Sequence, residues 1–294
     1  MIEGIWLPII TPFKNDNIDY ISYEKLINHY IAQGISGIIP LGTTGESPTI
    51  TEYEYEQLIE RTLTYVNGRV PVYVGLGSNF TAKLKNQIKT VEKYDIDGIL
   101  SVTPYYNRPS QRGIYEHFTA ISESTDLNIL LYNIPYRTGR NMENETIYRL
   151  AEKSNIIGLK DASGDIKQTM DLLANPPIDF SILTGEDLFF YQTLALGGHG
   201  GIMASAHLRT NEFISIYNAM KSNNHQQALK EWHELYELIP PLFEEPNPAP
   251  IKYVLSKLGL IESSECRLPI TRISNELAMK LNRMLWTMKV YASA

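Results

Sequence analysis

The sequence predicts an α/β fold: a closed (β/α)₈ barrel over residues 1–223, followed by a helical extension over 224–294 that packs on it. Three observations predict it. Short apolar runs alternate with stretches of helical spacing eight times, and repeated β-then-α units require parallel strands joined by helical crossovers. The 294 residues are long for an ordinary core but suit a barrel with an appendage. No Gly-x-Gly-x-x-Gly follows the first strand, which disfavours an open dinucleotide-binding sheet.

Strand one is the apolar run Ile5–Ile10, broken by Pro8. The spacing of Tyr23, Leu26, Ile27, Tyr30 and Ile31 makes the first helix, with Asp19 or Ser22 as its cap and Gly34 as its stop. Gly37–Leu41 is strand two, opening into Gly42-Thr43-Thr44-Gly45-Glu46-Ser47. Thr51 and Glu54 have the spacing of a capping box for a helix reaching about Tyr65. Strands at 70–76, 98–102 and 128–134 alternate with helices at 81–94 and 113–124. Helix 144–153 leads to the apolar run Ile156–Leu159, which ends in Lys160 and then a turn, Asp161-Ala162-Ser163-Gly164. Helix 166–173, strand 180–185, helix 188–196, strand 200–204 and helix 211–220 complete eight units. Helices at 226–239, 250–258 and from 275 onward follow, punctuated by prolines.

Hydrophobic residues make up 43% and charged residues 20% of the chain, the profile of a globular protein. A net charge of −7 argues against a nucleic-acid footprint. The single cysteine, Cys266, cannot form an intrachain disulfide, and none of the six histidines pair as His-x-x-x-His, so neither zinc nor another metal site is expected. No apolar run is long enough to span a membrane, and the N-terminus lacks a secretory pattern. These features suggest a cytoplasmic protein.

Barrel chemistry sits at the C-terminal ends of the strands. There the sequence places Thr43-Thr44-Gly45-Glu46, Tyr105-Tyr106, Tyr132-Asn133 with Arg137, Lys160-Asp161, and Thr184-Gly185-Glu186-Asp187. Lys160 is the candidate nucleophile. A lysine withdrawn from water is neutral more often, attacks a ketone to form a Schiff base, and then acts as an electron sink. Tyrosines supply a proton relay, and Arg137 suits a carboxylate. Each has a plainer reading when taken alone. Tyr132 is a packing residue in an apolar strand, Thr43 and Thr44 are turn residues, Arg137 is a surface charge and Glu46 is a helix cap. Their joint placement at one barrel mouth favours a site.

Gly42-Thr43-Thr44-Gly45-Glu46, Tyr132-Asn133-Ile134-Pro135 and Gly158-Leu159-Lys160-Asp161 together resemble the signatures of the pyruvate-dependent class I aldolases, the group typified by dihydrodipicolinate synthase and N-acetylneuraminate lyase. The segment Val102–Gln111, the loop Arg137-Thr138-Gly139, Glu245–Pro248 and Arg267-Leu268-Pro269 are similar to the dihydrodipicolinate synthase branch. That resemblance implies condensation of pyruvate with L-aspartate 4-semialdehyde in lysine and diaminopimelate biosynthesis, with no cofactor. It implies Lys160 as the Schiff-base residue, Tyr132 as central proton donor and acceptor, and Thr43 as its link to Tyr106, which reaches in from a neighbouring subunit. It also implies Thr44 on the pyruvate carboxylate, Arg137 on the semialdehyde carboxylate, and Gly185 and Ile202 lining the pyruvate pocket. A homo-oligomer follows, a tight dimer or a dimer of dimers. The alternative is a sibling lyase acting on a 2-keto-3-deoxy sugar acid or hydroxy-oxo-acid, against which the Arg137 loop speaks; a catalytically dead barrel is a third reading, against which the intact lysine and tyrosines speak. Two departures stand out. Tyr136 occupies a place before the arginine often held by a small residue and is expected to crowd or re-aim Arg137. At the positions of the lysine-binding cleft stand Glu52, Tyr55 and Lys83, and a cation at Lys83 predicts weak or absent lysine feedback.

Overall fold

The structure, a computed structural model, describes residues 1–287. The strands of the predicted alternation are β1 (Gly4–Leu7), β2 (Gly37–Ile38), β3 (Tyr73–Gly75), β4 (Gly98–Val102), β5 (Asn128–Asn133), β6 (Ile156–Asp161), β7 (Ser181–Thr184) and β8 (Gly200–Ile202). The chain forms two compact units, each discontinuous in sequence: residues 1–6 with 71–203, and residues 7–70 with those from 204 on.

In the first unit seven strands pair in parallel in the order β1-β8-β7-β6-β5-β4-β3. Parallel neighbours need crossovers, and helices Thr81–Val91, Gln111–Ser122, Asn144–Ala151, Ile166–Ala174 and Phe190–Ala195 supply them. β5 is buried continuously from Ile129 to Asn133, as expected of a strand covered on both faces rather than one. Its register sets Val102 beside Tyr132, Tyr132 beside Lys160, and Lys160 beside Leu183. Four residues from successive strands thus lie level with one another.

β6 runs through Lys160 and ends at Asp161, the pair at which the sequence ends the strand. The Asp161 carboxylate accepts from Thr169 Oγ1 at 2.6 Å and from the Ser163 amide at 3.0 Å, while the Asp161 carbonyl accepts from the Gly185 amide at 2.6 Å. These bonds satisfy a polar residue in a buried ladder.

The second unit holds β2 and the helices Tyr20–Gln33, Glu52–Val66, Thr210–Lys221, His225–Tyr236, Ala249–Lys257 and Asn275–Thr287. The two local caps form as the sequence indicates. Asp19 accepts from the Ser22 amide, and Gly34 stops that helix at φ 94°. Thr51 and Glu54 exchange both bonds of the capping box. A hairpin that periodicity did not reveal pairs Phe13–Lys14 with Asn17–Ile18 through Asn15 and Asp16, both at positive φ. The predicted helix 226–239 stops at Tyr236, giving way to a 3₁₀ turn at Pro240–Phe243, because Pro240 and Pro241 cannot continue an α-helical ladder.

Arg267 clasps this unit. It donates to both Glu54 carboxylate oxygens at 2.6 and 2.8 Å, to the Thr49 carbonyl at 3.0 Å and to the Asp16 carboxylate at 3.1 Å. The Arg267 contact holds the Glu54 carboxyl down at about 2. Next to it, Cys266 is half-buried, and burial pushes its thiol up to about 12. No helix among the described residues is long and apolar enough to cross a membrane. Tyr291 of the C-terminal tail lies outside the described residues.

Candidate active site

In the first unit the register of β5 and β6 brings two of the expected residues into contact. The Lys160 Nζ stands 4.3 Å from the centroid of the Tyr132 ring, and both side chains are 5% exposed. Among the described residues no carboxylate pairs with this ammonium. Burial therefore lowers the Lys160 amine to about 8, with the Asp187 charge pulling it up and the Arg137 charge pushing it further down. At that value roughly a tenth of the amine is neutral at pH 7, several hundred times more than for lysine in water.

Gly185 makes the space. A Cβ there would stand 2.6 Å from Lys160 Cε and 2.7 Å from its Cγ, so a side chain at 185 would displace the lysine. Ile202 is buried on β8, paired with Trp6 of β1.

Arg137 sits on a single helical turn, Pro135–Thr138, opened by proline and ended by Gly139 at φ 76°. Its side chain is exposed, and its Nε donates to the Tyr136 hydroxyl at 3.0 Å. The Thr138 carbonyl accepts from the Tyr106 amide at 3.3 Å, and the Gly139 carbonyl from Arg108 Nε at 3.0 Å. These bonds stitch the loop after β4 to the turn after β5. Tyr106 itself adopts φ 71° and is 90% exposed; within this chain its phenol points to solvent rather than joining Tyr132.

Thr43 and Thr44 belong to the second unit. They form the middle of a turn in which the Gly45 amide donates to the Gly42 carbonyl and the Glu46 amide to the Thr43 carbonyl, each at 3.1 Å. Thr44 is buried and accepts from Asn247 Nδ2 at 3.0 Å. Glu46 is no helix cap of the ordinary kind. Its side chain is fully buried against the equally buried Lys252, with which it forms an ion pair, and it also accepts from the Arg267 amide at 3.1 Å.

Among the described residues no cluster of His, Cys, Asp and Glu could hold a metal ion. A desolvated amine against a phenol is a nucleophile with a proton donor and acceptor beside it, the equipment of carbonyl chemistry through an imine. The model of the dihydrodipicolinate synthetase family matches residues 1–288.

The chain belongs to the dihydrodipicolinate synthetase family.

Over 284 residues it is 58% identical to 4-hydroxy-tetrahydrodipicolinate synthase 2 of Clostridium acetobutylicum, covering 97% of this chain and 99% of that one. The family's solved structures match as closely in shape. The dihydrodipicolinate synthase of Thermotoga maritima has a TM-score of 0.95 at 38% identity, over 99% of both chains. A monomeric dihydrodipicolinate synthase variant has a TM-score of 0.95 at 38% identity, over 98% of this chain and 97% of that one. This likeness carries the fold class, a (β/α)₈ barrel with C-terminal helices.

In the second unit, sequence reasoning missed the Asn247 bond to Thr44 and the Lys252–Glu46 pair beside the threonine turn; only the likeness of Glu245–Pro248 to the family marked that stretch, and nothing local signals a partner some 200 positions away. In the first unit, the expected influence of Tyr136 on Arg137 takes the form of a bond from Arg137 Nε to the Tyr136 hydroxyl.

Proposed function

We propose that the chain condenses pyruvate with L-aspartate 4-semialdehyde to give 4-hydroxy-tetrahydrodipicolinate and water, in lysine and diaminopimelate biosynthesis. The observation that carries the reading is the Lys160 amine, buried against Tyr132 and, among the described residues, in no ion pair with a carboxylate. The neutral amine attacks the pyruvate ketone, and loss of water leaves an iminium. The iminium acidifies the methyl carbon; a base takes the proton, the C–H electron pair moves toward the iminium nitrogen, and an enamine forms. The enamine carbon attacks the aldehyde, forming the new carbon–carbon bond. The amino group of the semialdehyde then displaces Lys160 and closes the ring.

Tyr132, over the amine, serves as the proton donor and acceptor in these steps. Gly185 leaves room for pyruvate beside Lys160, and Ile202 lines the same pocket. Arg137 holds the carboxylate of the second substrate, a task its planar fork suits better than a lysine would. For Thr43, as the proton link, and Thr44, on the pyruvate carboxylate, the family resemblance supplies the role. Tyr106, exposed and held by a strained backbone, is offered to a second copy, so the working form is at least a dimer, built from a 1–223 barrel and a 224–294 extension.

The test is a coupled assay with both substrates, the next reductase and NADPH, beside borohydride trapping of pyruvate on Lys160. Wild type turns over and is trapped. Arg137→Ala is still trapped, yet loses on the order of a hundredfold in kcat/KM for the semialdehyde, as expected when a charged bidentate contact is removed. Trapping without turnover in the wild type would refute the substrate pair.

A further inference from the structure

We infer that Tyr136 is a positioning residue for Arg137, one that sets which edge of the guanidinium meets the second substrate. The inference rests on the proposed role of Arg137 and deepens it. Tyr136 and Arg137 are consecutive on the one-turn helix Pro135–Thr138, and neighbours at i and i+1 on a helix do not face each other. Here they do meet. The Tyr136 hydroxyl lies 3.0 Å from Arg137 Nε, and the Arg137 guanidinium carbon stands 5.2 Å from the centroid of the Tyr136 ring. The tyrosine side chain is 70% exposed, so core packing does not force the contact.

The polarity of the bond is fixed by chemistry. Nε of arginine only donates, so the tyrosine oxygen accepts, and its own hydrogen stays free. A guanidinium offers a carboxylate two kinds of paired edge: one built on Nε with an Nη, the other on the two Nη groups. With Nε engaged by Tyr136, the end edge of two Nη groups is the pair left intact for a bidentate ligand. The freed phenolic O–H adds one donor beside that edge. Tyr136 thus narrows two possible bidentate approaches to one, end-on.

The base of the arginine is already rigid. The Arg137 amide donates to the Ile134 carbonyl at 3.1 Å, the Thr138 amide to the same carbonyl at 3.0 Å, and the Gly139 amide to the Pro135 carbonyl at 2.8 Å. The Tyr106 amide adds its bond to the Thr138 carbonyl at 3.3 Å. What remains loose in a long exposed side chain is its tip, and that is the part Tyr136 grips.

The test is Tyr136→Phe, which keeps the ring and removes only the acceptor, measured with the coupled assay and the trapping assay. The expected result is a KM for the semialdehyde raised about three- to tenfold, the scale of one net hydrogen bond. kcat, the rate of pyruvate trapping and Tm stay at wild-type values. Adding Tyr136→Phe to Arg137→Ala costs nothing further, because the tyrosine acts through the arginine. An unchanged KM in Tyr136→Phe would overturn the inference. So would a full additional penalty in the Arg137→Ala background, which would make Tyr136 a direct substrate contact. A wild type that traps pyruvate but does not turn over the semialdehyde would overturn the substrate reading first, and the role of Tyr136 with it; this control is read before any variant.

Discussion

Two buried lysines lie across aromatic rings in this protein, Lys160 in one unit and Lys252 in the other. The Lys252 Nζ stands 4.1 Å from the centroid of Phe13, nearly the distance that Lys160 keeps from Tyr132. Both are withdrawn from water, and burial lowers both amines. They differ in company. Lys252 is paired with the buried Glu46 and donates to the Glu265 carbonyl at 2.9 Å, so its charge has a counter-charge inside the fold. Lys160 has a phenol and, among the described residues, no paired carboxylate. The proposed nucleophile thus differs from the structural lysine not in burial but in lacking a fixed counter-charge and in facing a phenol. The paired lysine instead braces the turn that carries Thr43 and Thr44.

The contrast breaks most visibly if the two residues are removed. Lys160→Met should abolish the trapped adduct and cut turnover by at least roughly a thousandfold, the scale of losing a covalent nucleophile. The same variant should keep or raise Tm, since it relieves a buried, unpaired charge; a large fall in Tm would mean that Lys160 is structural. Lys252→Met should do the reverse to stability. It strands Glu46 in the interior at a cost of about 3–5 kcal/mol, read from denaturant unfolding. Glu46→Gln combined with Lys252→Met should restore most of that loss, because an uncharged pair of similar volume has no charge to desolvate. A harmless single variant would erase the distinction.

A smaller effect sharpens the contrast. The rate of adduct trapping should rise with pH and level off above about 8. Below that value the folded enzyme's amine holds its proton, and each unit down removes about tenfold of the nucleophile. Between about 8 and the ordinary lysine value of 10.5 the unfolded chain binds a proton that the folded one does not. Folding stability should therefore gain with pH across that window from this group. A trapping midpoint near 10.5 would show that the pocket is wet.

Much of this was legible in the sequence because the signals are local. The helix bounded by Asp19 and Gly34 and the Thr51–Glu54 box depend on residues three or four apart, and they form as read. The strand ends that carry Tyr132 and Lys160 follow from apolar runs of the right length. The hairpin at 13–18 escaped because two-residue arms have no periodicity. Asn15 and Asp16, the residue types that tolerate positive φ, were its one trace. The strand through Lys160-Asp161 ends where the sequence ends it; what no local signal gave is the set of bonds from Thr169, Ser163 and Gly185 that holds Asp161 in the ladder. Lys252 was invisible for the opposite reason: within Pro250–Leu258 it reads as a charged residue on a helix, and its partner is Glu46. Tyr136 was noticed as unusual, but an adjacent pair in sequence does not say which atoms meet.

Cys266 carries a last consequence, for anyone who wishes to attach a probe. With its thiol pushed up to about 12 by burial, its thiolate at neutral pH is on the order of one part in 10⁵, and alkylating reagents attack the thiolate. The protein is therefore nearly silent to maleimide chemistry as it stands. A cysteine introduced at an exposed position such as Ile178, 90% exposed, would take a fluorophore alone, without first engineering the native thiol away.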